Sequence, residues 1–77
     1  MTRLRLVPYA ALAKIVEVQG FRWVRSSGSH NVFRHASGKI VVLPDHGAQV
    51  IVRPLLWRIL RDIGVSPEEY NELLKDI

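Results

Sequence analysis

With 77 residues and no cysteine, the chain is long enough for one small domain, residues 1–77, and excludes disulfides and cysteine-based zinc sites. A hydrophobic fraction of 48% is too high for a disordered protein. No apolar run approaches the roughly 18 residues of a membrane span, and no signal-peptide pattern opens the chain, so we expect a cytoplasmic protein without membrane association.

The first predicted element is a helix from about Pro8 to Gln19. Proline is tolerated in the first turn of a helix, and Gly20 offers a left-handed stop after the last turn. The apolar residues between them recur at helical spacing, at Leu12, Ile15 and Val16.

Three short strands are predicted next, at Phe21–Arg25, His30–His35 and Lys39–Leu43. Turns rich in serine and glycine, at 26–29 and 36–38, separate them. In the first strand Phe21 and Trp23 lie on one side and Arg22 on the other. Two successive hairpins predict a three-stranded antiparallel meander.

A second helix is predicted from about Pro54 to Gly64. A third begins at a capping box, in which Ser66 is the N-cap residue and the Glu69 side chain accepts from the Ser66 amide. The resulting order, α-β-β-β-α-α, predicts an α+β fold. Its three-stranded antiparallel sheet would have one polar face, with the helices packed on the other. Double-stranded-RNA-binding domains share this arrangement, which is a likeness of fold only.

The charge is unevenly distributed along the chain. Eleven Lys and Arg residues against seven Asp and Glu give a net charge of +4. Seven of the basic residues precede Ile40, where Glu17 is the one acid; four follow it, together with six acids. A basic surface attracts polyanions, of which nucleic acid is the commonest in a cell. Charge alone does not decide whether this chain binds one.

The residue with the clearest chemical potential is His30, in Gly28-Ser29-His30-Asn31 at the start of a predicted strand. A glycine turn lets the backbone approach a phosphate, and the Ser29 hydroxyl can donate to a phosphate oxygen. Histidine can accept a proton from a ribose 2′-hydroxyl and return it to a leaving group, a reaction that needs no metal. Its position alone also fits an ordinary polar surface residue.

Positive charge near the phosphate would support that reaction. Arg22, Arg25, Arg34 and Lys39 are close to His30 in sequence and are candidates for it.

Two further histidines have less distinctive positions. His35 ends the second predicted strand and is expected to be a turn residue. His46 follows Asp45 in a loop, and is either a second functional histidine or part of a local turn in which ring and carboxylate bond one another.

Other chemistries have little support in the sequence. The histidine spacings of five and eleven residues match no common metal-ligand pattern, so we expect no metal and no cofactor. No phosphate-loop motif, dinucleotide fingerprint or Ser-His-Asp spacing is present. Phe21 and Trp23 are expected to pack in the core rather than to stack on bases, and Trp57 to be half exposed.

The ordered set of short motifs resembles the HicA family of messenger-RNA interferases over about Pro8 to Leu74. The motifs are, in chain order, Gln19-Gly20-Phe21, Val24-Arg25-Ser26-Ser27-Gly28-Ser29-His30, Phe33-Arg34-His35, Gly38-Lys39, Leu43-Pro44-Asp45-His46, Leu56 to Gly64, and Ser66-Pro67-Glu68-Glu69-Tyr70. Gly-Ser-His alone is weakly specific, whereas the whole ordered set is strongly so.

The resemblance implies a toxin of a type II toxin–antitoxin system that cleaves messenger RNA with one essential histidine, here His30. It also implies a HicB-type antitoxin that covers the active face. Two features depart from the family pattern. Asn31 stands where a second histidine is common, and the apolar segment 48–54 replaces a stretch rich in lysine and glycine.

The sequence therefore predicts a metal-independent endoribonuclease with His30 as general base or acid. Gly28, Ser29, Arg25, Arg34 and Lys39 are the predicted substrate contacts, and His46 has a supporting role. Two alternatives stay open: an RNA-binding module of the same fold that does not cleave, and an interaction protein whose basic face binds an acidic partner.

Overall fold

The computed structural model describes residues 3–77, and its order of elements confirms the predicted α+β class. The elements are α1 (Tyr9–Val18), β1 (Phe21–Ser27), β2 (His30–His35), β3 (Ile40–Pro44), α2 (Arg53–Ile63) and α3 (Pro67–Lys75). Within the described residues, no helix is long and apolar enough to cross a membrane.

The three strands form one antiparallel sheet in the order β1-β2-β3. In β2 and β3 the odd-numbered residues face the helices and the even-numbered residues face outward, as the register and the burial of Phe33, Val41 and Leu43 indicate. A β-bulge between Trp23 and Arg25 in β1 shifts that alternation by one residue.

The helices close the core over the inward face. Each contributes fully buried side chains, among them Leu12 from α1, Leu56 from α2 and Tyr70 from α3. α1 packs against β1, β3 and α3, whereas α2 lies against β3. α3 starts with the predicted capping box, in which the Ser66 hydroxyl accepts from the Glu69 amide and the Glu69 carboxylate accepts from the Ser66 amide.

The segment before α1 is part of the core, which the sequence pattern did not predict. Leu4 and Val7 are buried, and the Val7 carbonyl accepts a 2.9 Å hydrogen bond from the Ile51 amide. The Arg53 guanidinium donates to the Leu4 carbonyl at 2.7 Å. These bonds tie residues 4–7 to the segment that leads into α2.

Two predictions about the sheet are wrong. Trp23 is not a core residue: it is 53% exposed, and its indole N–H donates to the Asn31 side-chain oxygen at 3.0 Å. The outward face is not simply polar either. Val24 and Val42 are exposed on it, and Val32 is buried there, outside the core cluster.

Candidate functional site

His30 is the first residue of β2 and faces outward, paired with Ser27 in β1 and Pro44 in β3. Its side chain is exposed. Within residues 3–77 its ring makes no hydrogen bond, so both ring nitrogens are available to a ligand. A histidine in this state can exchange protons with a bound molecule without first breaking a protein contact.

The turn before His30 is the two-residue loop Gly28-Ser29, which closes the pair Ser27 and His30. Gly28 has a φ of 58°, a left-handed conformation that favours glycine, as expected at the first position of a type II′ hairpin turn. A Cβ added there would meet no atom within 4 Å, so the backbone at this turn is open to a ligand.

This turn is joined to the loop that follows β3. The Ser29 carbonyl accepts a 2.7 Å hydrogen bond from the Asp45 amide, so the residues after Pro44 are held beside the β1–β2 turn. The link fixes the start of the loop that carries His46 next to His30, although the two histidines are 16 positions apart in sequence.

Asp45 and His46 were predicted either to bond one another in a local turn or to provide a second functional histidine, and the structure shows part of each. The Asp45 carboxylate forms a local turn, but its partner is the Gly47 amide at 3.0 Å rather than the imidazole. The His46 ring makes no hydrogen bond within the described part of the chain. It lines the same cleft as His30, which has a volume of about 470 Å³.

Three arginines lie on the outward face, and their distances from His30 differ. Arg25 pairs with Val32, the next outward residue of β2 after His30. Arg22 and Arg34 face each other toward the opposite end of the sheet. At roughly 3.3 Å per residue, Arg34 is about 13 Å along the strand from His30. Two arginines directly opposite repel one another, and an anion between them would relieve that repulsion.

Lys39 does not join this group. It lies in the β2–β3 turn, where its carbonyl accepts from the His35 amide, and it shares a depression with Asp62. Lys39 is therefore close to His30 in sequence but not in space, because β2 runs the length of the sheet between them.

His35 is the last residue of β2 rather than a turn residue, and its side chain contacts the turn that follows. Its Nδ1 accepts from the Ser37 amide at 3.0 Å and lies 3.0 Å from the Ser37 hydroxyl, so the proton of the neutral ring is on Nε2. The ring packs on Phe21 with 5.2 Å between centroids. These contacts give His35 a structural role in the β2–β3 hairpin.

The second wall of the cleft was missed by sequence reasoning. It consists of residues 49–52 and Leu55, which lie across from Val42, Pro44 and the two histidines. The signal available in the sequence is Gln49, the one polar residue among residues 48–52. The apolar segment 48–54 is visible in the sequence, but the fold is needed to bring it beside His30.

Taken together, the described residues offer two imidazoles on one open cleft and a row of arginines on the same face of the sheet. None of the three strands contains an acidic residue. Within residues 3–77, no three His, Asp or Glu side chains come together as a group that could hold a metal ion. The arrangement can bind an anion and transfer protons next to it.

The comparison with known protein families agrees with the sequence motifs. A family model described as the HicA toxin of bacterial toxin-antitoxin systems matches residues 9–65, which is 57 of the 77 residues. No curated protein matches the chain. The matched region contains all three strands, α1, α2 and both histidines of the cleft. The chain belongs to the HicA toxin family of bacterial toxin–antitoxin systems.

Proposed function

We propose that this toxin is a metal-independent endoribonuclease that cleaves messenger RNA in the cytoplasm. The observation that carries the proposal is the position of His30: exposed, free of protein hydrogen bonds, directly after an open glycine turn, and on the same cleft as His46. Membership of a toxin family makes an attack on a cellular component the expected activity.

The reaction follows from the chemistry of RNA. One imidazole takes the proton of the ribose 2′-hydroxyl as its oxygen attacks the adjacent phosphorus. The bond from phosphorus to the 5′-oxygen breaks, and that oxygen receives a proton from a general acid. The products are a 2′,3′-cyclic phosphate and a 5′-hydroxyl. His30 acts as general base or acid, and His46 supports it from the same cleft.

The remaining predicted residues would bind the RNA backbone. Gly28 gives a phosphate room to approach the turn, and Ser29 can donate its hydroxyl. Arg25 is the arginine nearest to His30 along the sheet and would stabilise the charge at the reacting phosphate. Arg34 and Lys39 lie farther away and would contact phosphates of neighbouring nucleotides.

The partner of the toxin would be a HicB-type antitoxin that covers the His30 face. A cover over the cleft would exclude RNA without any change in the toxin's own shape. Because the strands carry basic residues and no acids, an acidic antitoxin surface would be complementary to them.

The direct test is His30→Ala. The purified variant should keep the circular dichroism spectrum of the wild type, because the ring is exposed and makes no contact that supports the fold. RNA cleavage should fall by at least about a hundredfold, the usual contribution of a general acid or base. His35→Ala is the control for loss of an imidazole: its folded fraction should keep cleaving, because His35 lies at the opposite end of β2 from His30. Wild-type cleavage by a folded His30→Ala protein would remove His30 from the mechanism.

The chemistry predicts two further results for the wild type. Cleavage should continue in EDTA, and the products should carry 2′,3′-cyclic phosphate or the monophosphate formed when that ring opens. Mass spectrometry of a cleaved oligonucleotide identifies the ends. Products with 3′-hydroxyl ends, or inhibition by chelator that magnesium reverses, would replace this mechanism with metal-assisted hydrolysis. RNA that binds without being cut would indicate a binding module instead.

A further inference from the structure

The cleft beside His30 combines apolar and polar side chains, as a site for a partly apolar ligand does. Its volume of about 470 Å³ lies within the usual range for small-molecule pockets. Apolar side chains line most of it, contributed by β3, the 49–52 segment and the start of α2: Val42, Pro44, Val50, Ile51, Val52 and Leu55. Val42, Val50 and Val52 remain exposed there, with Val52 61% accessible, which is unfavourable for valine without an occupant.

Three polar side chains line the same cleft, and two of them are the histidines of the proposed proton transfer. The third is Gln49, whose side-chain amide makes no hydrogen bond within residues 3–77. Its backbone amide donates to the His46 carbonyl at 3.3 Å, so Gln49 is fixed one turn away from His46. A primary amide offers an acceptor and a pair of donors in one plane, which matches the edge of a nucleobase.

We propose that this cleft binds one unstacked nucleobase of single-stranded RNA, and that the Gln49 amide recognises its edge. The apolar wall would contact the base faces, while the sugar and phosphate lie toward His30 and Arg25. The nucleotide so held is the one that flanks the bond to be cut. The proposal rests on the proposed ribonuclease function for its place in the reaction, but the binding event can be measured without cleavage.

Single-stranded RNA is the form of nucleic acid that this cleft can accept. Bases in a duplex are stacked and present only their edges in a groove, whereas a base in a loop or single strand can leave the stack and enter a pocket. The arginines on the neighbouring strands supply the attraction for the backbone on either side. Gln49 is therefore a specificity residue, distinct from the groups that transfer protons.

Binding is measured with 2′-O-methyl RNA, which lacks the attacking hydroxyl and cannot be cut by the proposed mechanism. Fluorescence anisotropy gives the affinity of the unlabelled protein for each of four labelled decamers. Three consist of A, C or U alone, and the fourth alternates G and U. Wild type should favour one base over another by about tenfold, the discrimination expected of a modest amide–base pair. Gln49→Leu should bring these affinities within about twofold of one another, because leucine has similar volume and no amide.

Gln19→Leu is the matched control, because Gln19 is the C-cap residue that follows α1 and does not line the cleft, and it should keep the wild-type preference. Val50→Trp gives a second test of the same site. It fills the cleft and should weaken binding of all the decamers, while the circular dichroism spectrum shows that the protein is folded.

The outcomes separate this proposal from the ribonuclease function. Equal affinity of wild type for all decamers, or an unchanged preference in Gln49→Leu, overturns the base site even if unmodified RNA is cleaved. A base preference that depends on Gln49, in a protein that cuts no RNA, supports the base site and removes the catalytic proposal. If no decamer binds, the base site is overturned. If the Gln49 amide signals in the NMR spectrum then shift on addition of antitoxin, the cleft is assigned to a protein partner.

Discussion

Tyr70 illustrates how one residue can link the end of the chain to its beginning. Its side chain is fully buried in the core, yet its hydroxyl donates to the Arg5 carbonyl and so leaves no polar atom unsatisfied. Burial raises the pKa of Tyr70 from 10.0 to about 12, although the nearby Arg5 charge acts in the opposite direction. The folded protein therefore favours the protonated phenol, and ionising it costs folding free energy.

This pKa predicts how stability depends on alkaline pH. Because the folded-state pKa lies above that of the unfolded chain, the contribution of Tyr70 is fully present below pH 10 and is lost as the pH rises through about 12. Tyr70→Phe should lower the free energy of unfolding by roughly 1 kcal/mol at neutral pH, through the lost hydrogen bond. The difference from wild type should shrink, and then reverse, between pH 10 and 12.

Urea unfolding of both proteins at a series of pH values measures that difference. Comparing the two proteins cancels the titration of the other groups, including Tyr9, whose pKa is also raised, first of all by burial. A difference that is the same at pH 8 and near pH 12 would show that the Tyr70 hydroxyl titrates alike in folded and unfolded chains.

The candidate site shows which residue-level features can be predicted from the sequence. His30 can be predicted because a glycine turn followed by the start of a strand is a local pattern. The shared cleft of His30 and His46 depends on the hydrogen bond between Ser29 and Asp45, which joins two separate loops. The exposure of Trp23 cannot be predicted in this way, because alternation gives the face of a strand but not how far the helices extend over it.

At the level of elements, local signals set most of the boundaries. The strands differ from prediction by up to two residues, because the hairpin between β1 and β2 closes on Gly28-Ser29 and extends pairing to Ser27 and His30. Pro8 is the N-cap residue that precedes α1 and does not lie in its first turn. The capping box of α3 was predictable because every partner in it lies within four consecutive residues.

That capping box supports a prediction about helix stability. Ser66→Ala removes the acceptor for the Glu69 amide and should destabilise the protein by about 1 kcal/mol. In a domain of this size such a loss lowers Tm by roughly 4–8 °C. Thermal denaturation followed by circular dichroism measures it, and Ser66→Thr, which keeps a hydroxyl, should lose much less. Equal losses in the two variants would mean that the hydroxyl is not what stabilises α3.

The pairing of the N-terminal segment with residues 50–51 could not be predicted from local sequence. Pro8 forms an isolated bridge with Val50, and Ile51 donates to Val7, across more than 40 positions. Residues 3–6 alternate arginine and leucine, but this alternation does not identify a partner, because residues 50–52 are a short apolar run without alternation. The consequence for the site is direct, because this bridge holds the wall of the cleft that carries Gln49, Val50 and Val52.

At the scale of the whole molecule, charge is separated between the sheet and the end of the chain. The outward face carries Arg22, Arg25 and Arg34, and none of the three strands contains an acid. Four of the seven acids are Glu68, Glu69, Glu72 and Asp76, in and just after α3, which packs against α1 on the other side of the sheet. Apart from Asp45, which is held beside the β1–β2 turn, residues on the basic face have little counter-charge nearby. An approaching polyanion or acidic protein therefore meets a largely unneutralised surface.

This separation predicts how the antitoxin is captured. Association with the proposed HicB-type antitoxin should be fast at low salt and should slow as salt rises from about 0.05 to 0.5 M, because screening weakens the attraction. The double variant Arg25→Glu, Arg34→Glu should associate at least about tenfold more slowly at low salt, with a weaker salt dependence. The matched control is Arg61→Glu, Lys75→Glu, which reverses two charges on α2 and α3 instead.

Each reversal changes the charge by two, so both double variants have a net charge of 0 instead of +4, and only the location of the change differs. Stopped-flow fluorescence with a labelled antitoxin gives the association rates. If the sheet face guides the encounter, the α2–α3 variant should keep a rate close to wild type while the sheet variant slows. Equal slowing of both would mean that net charge rather than the His30 face governs association, and rates that do not change with salt would exclude electrostatic capture altogether.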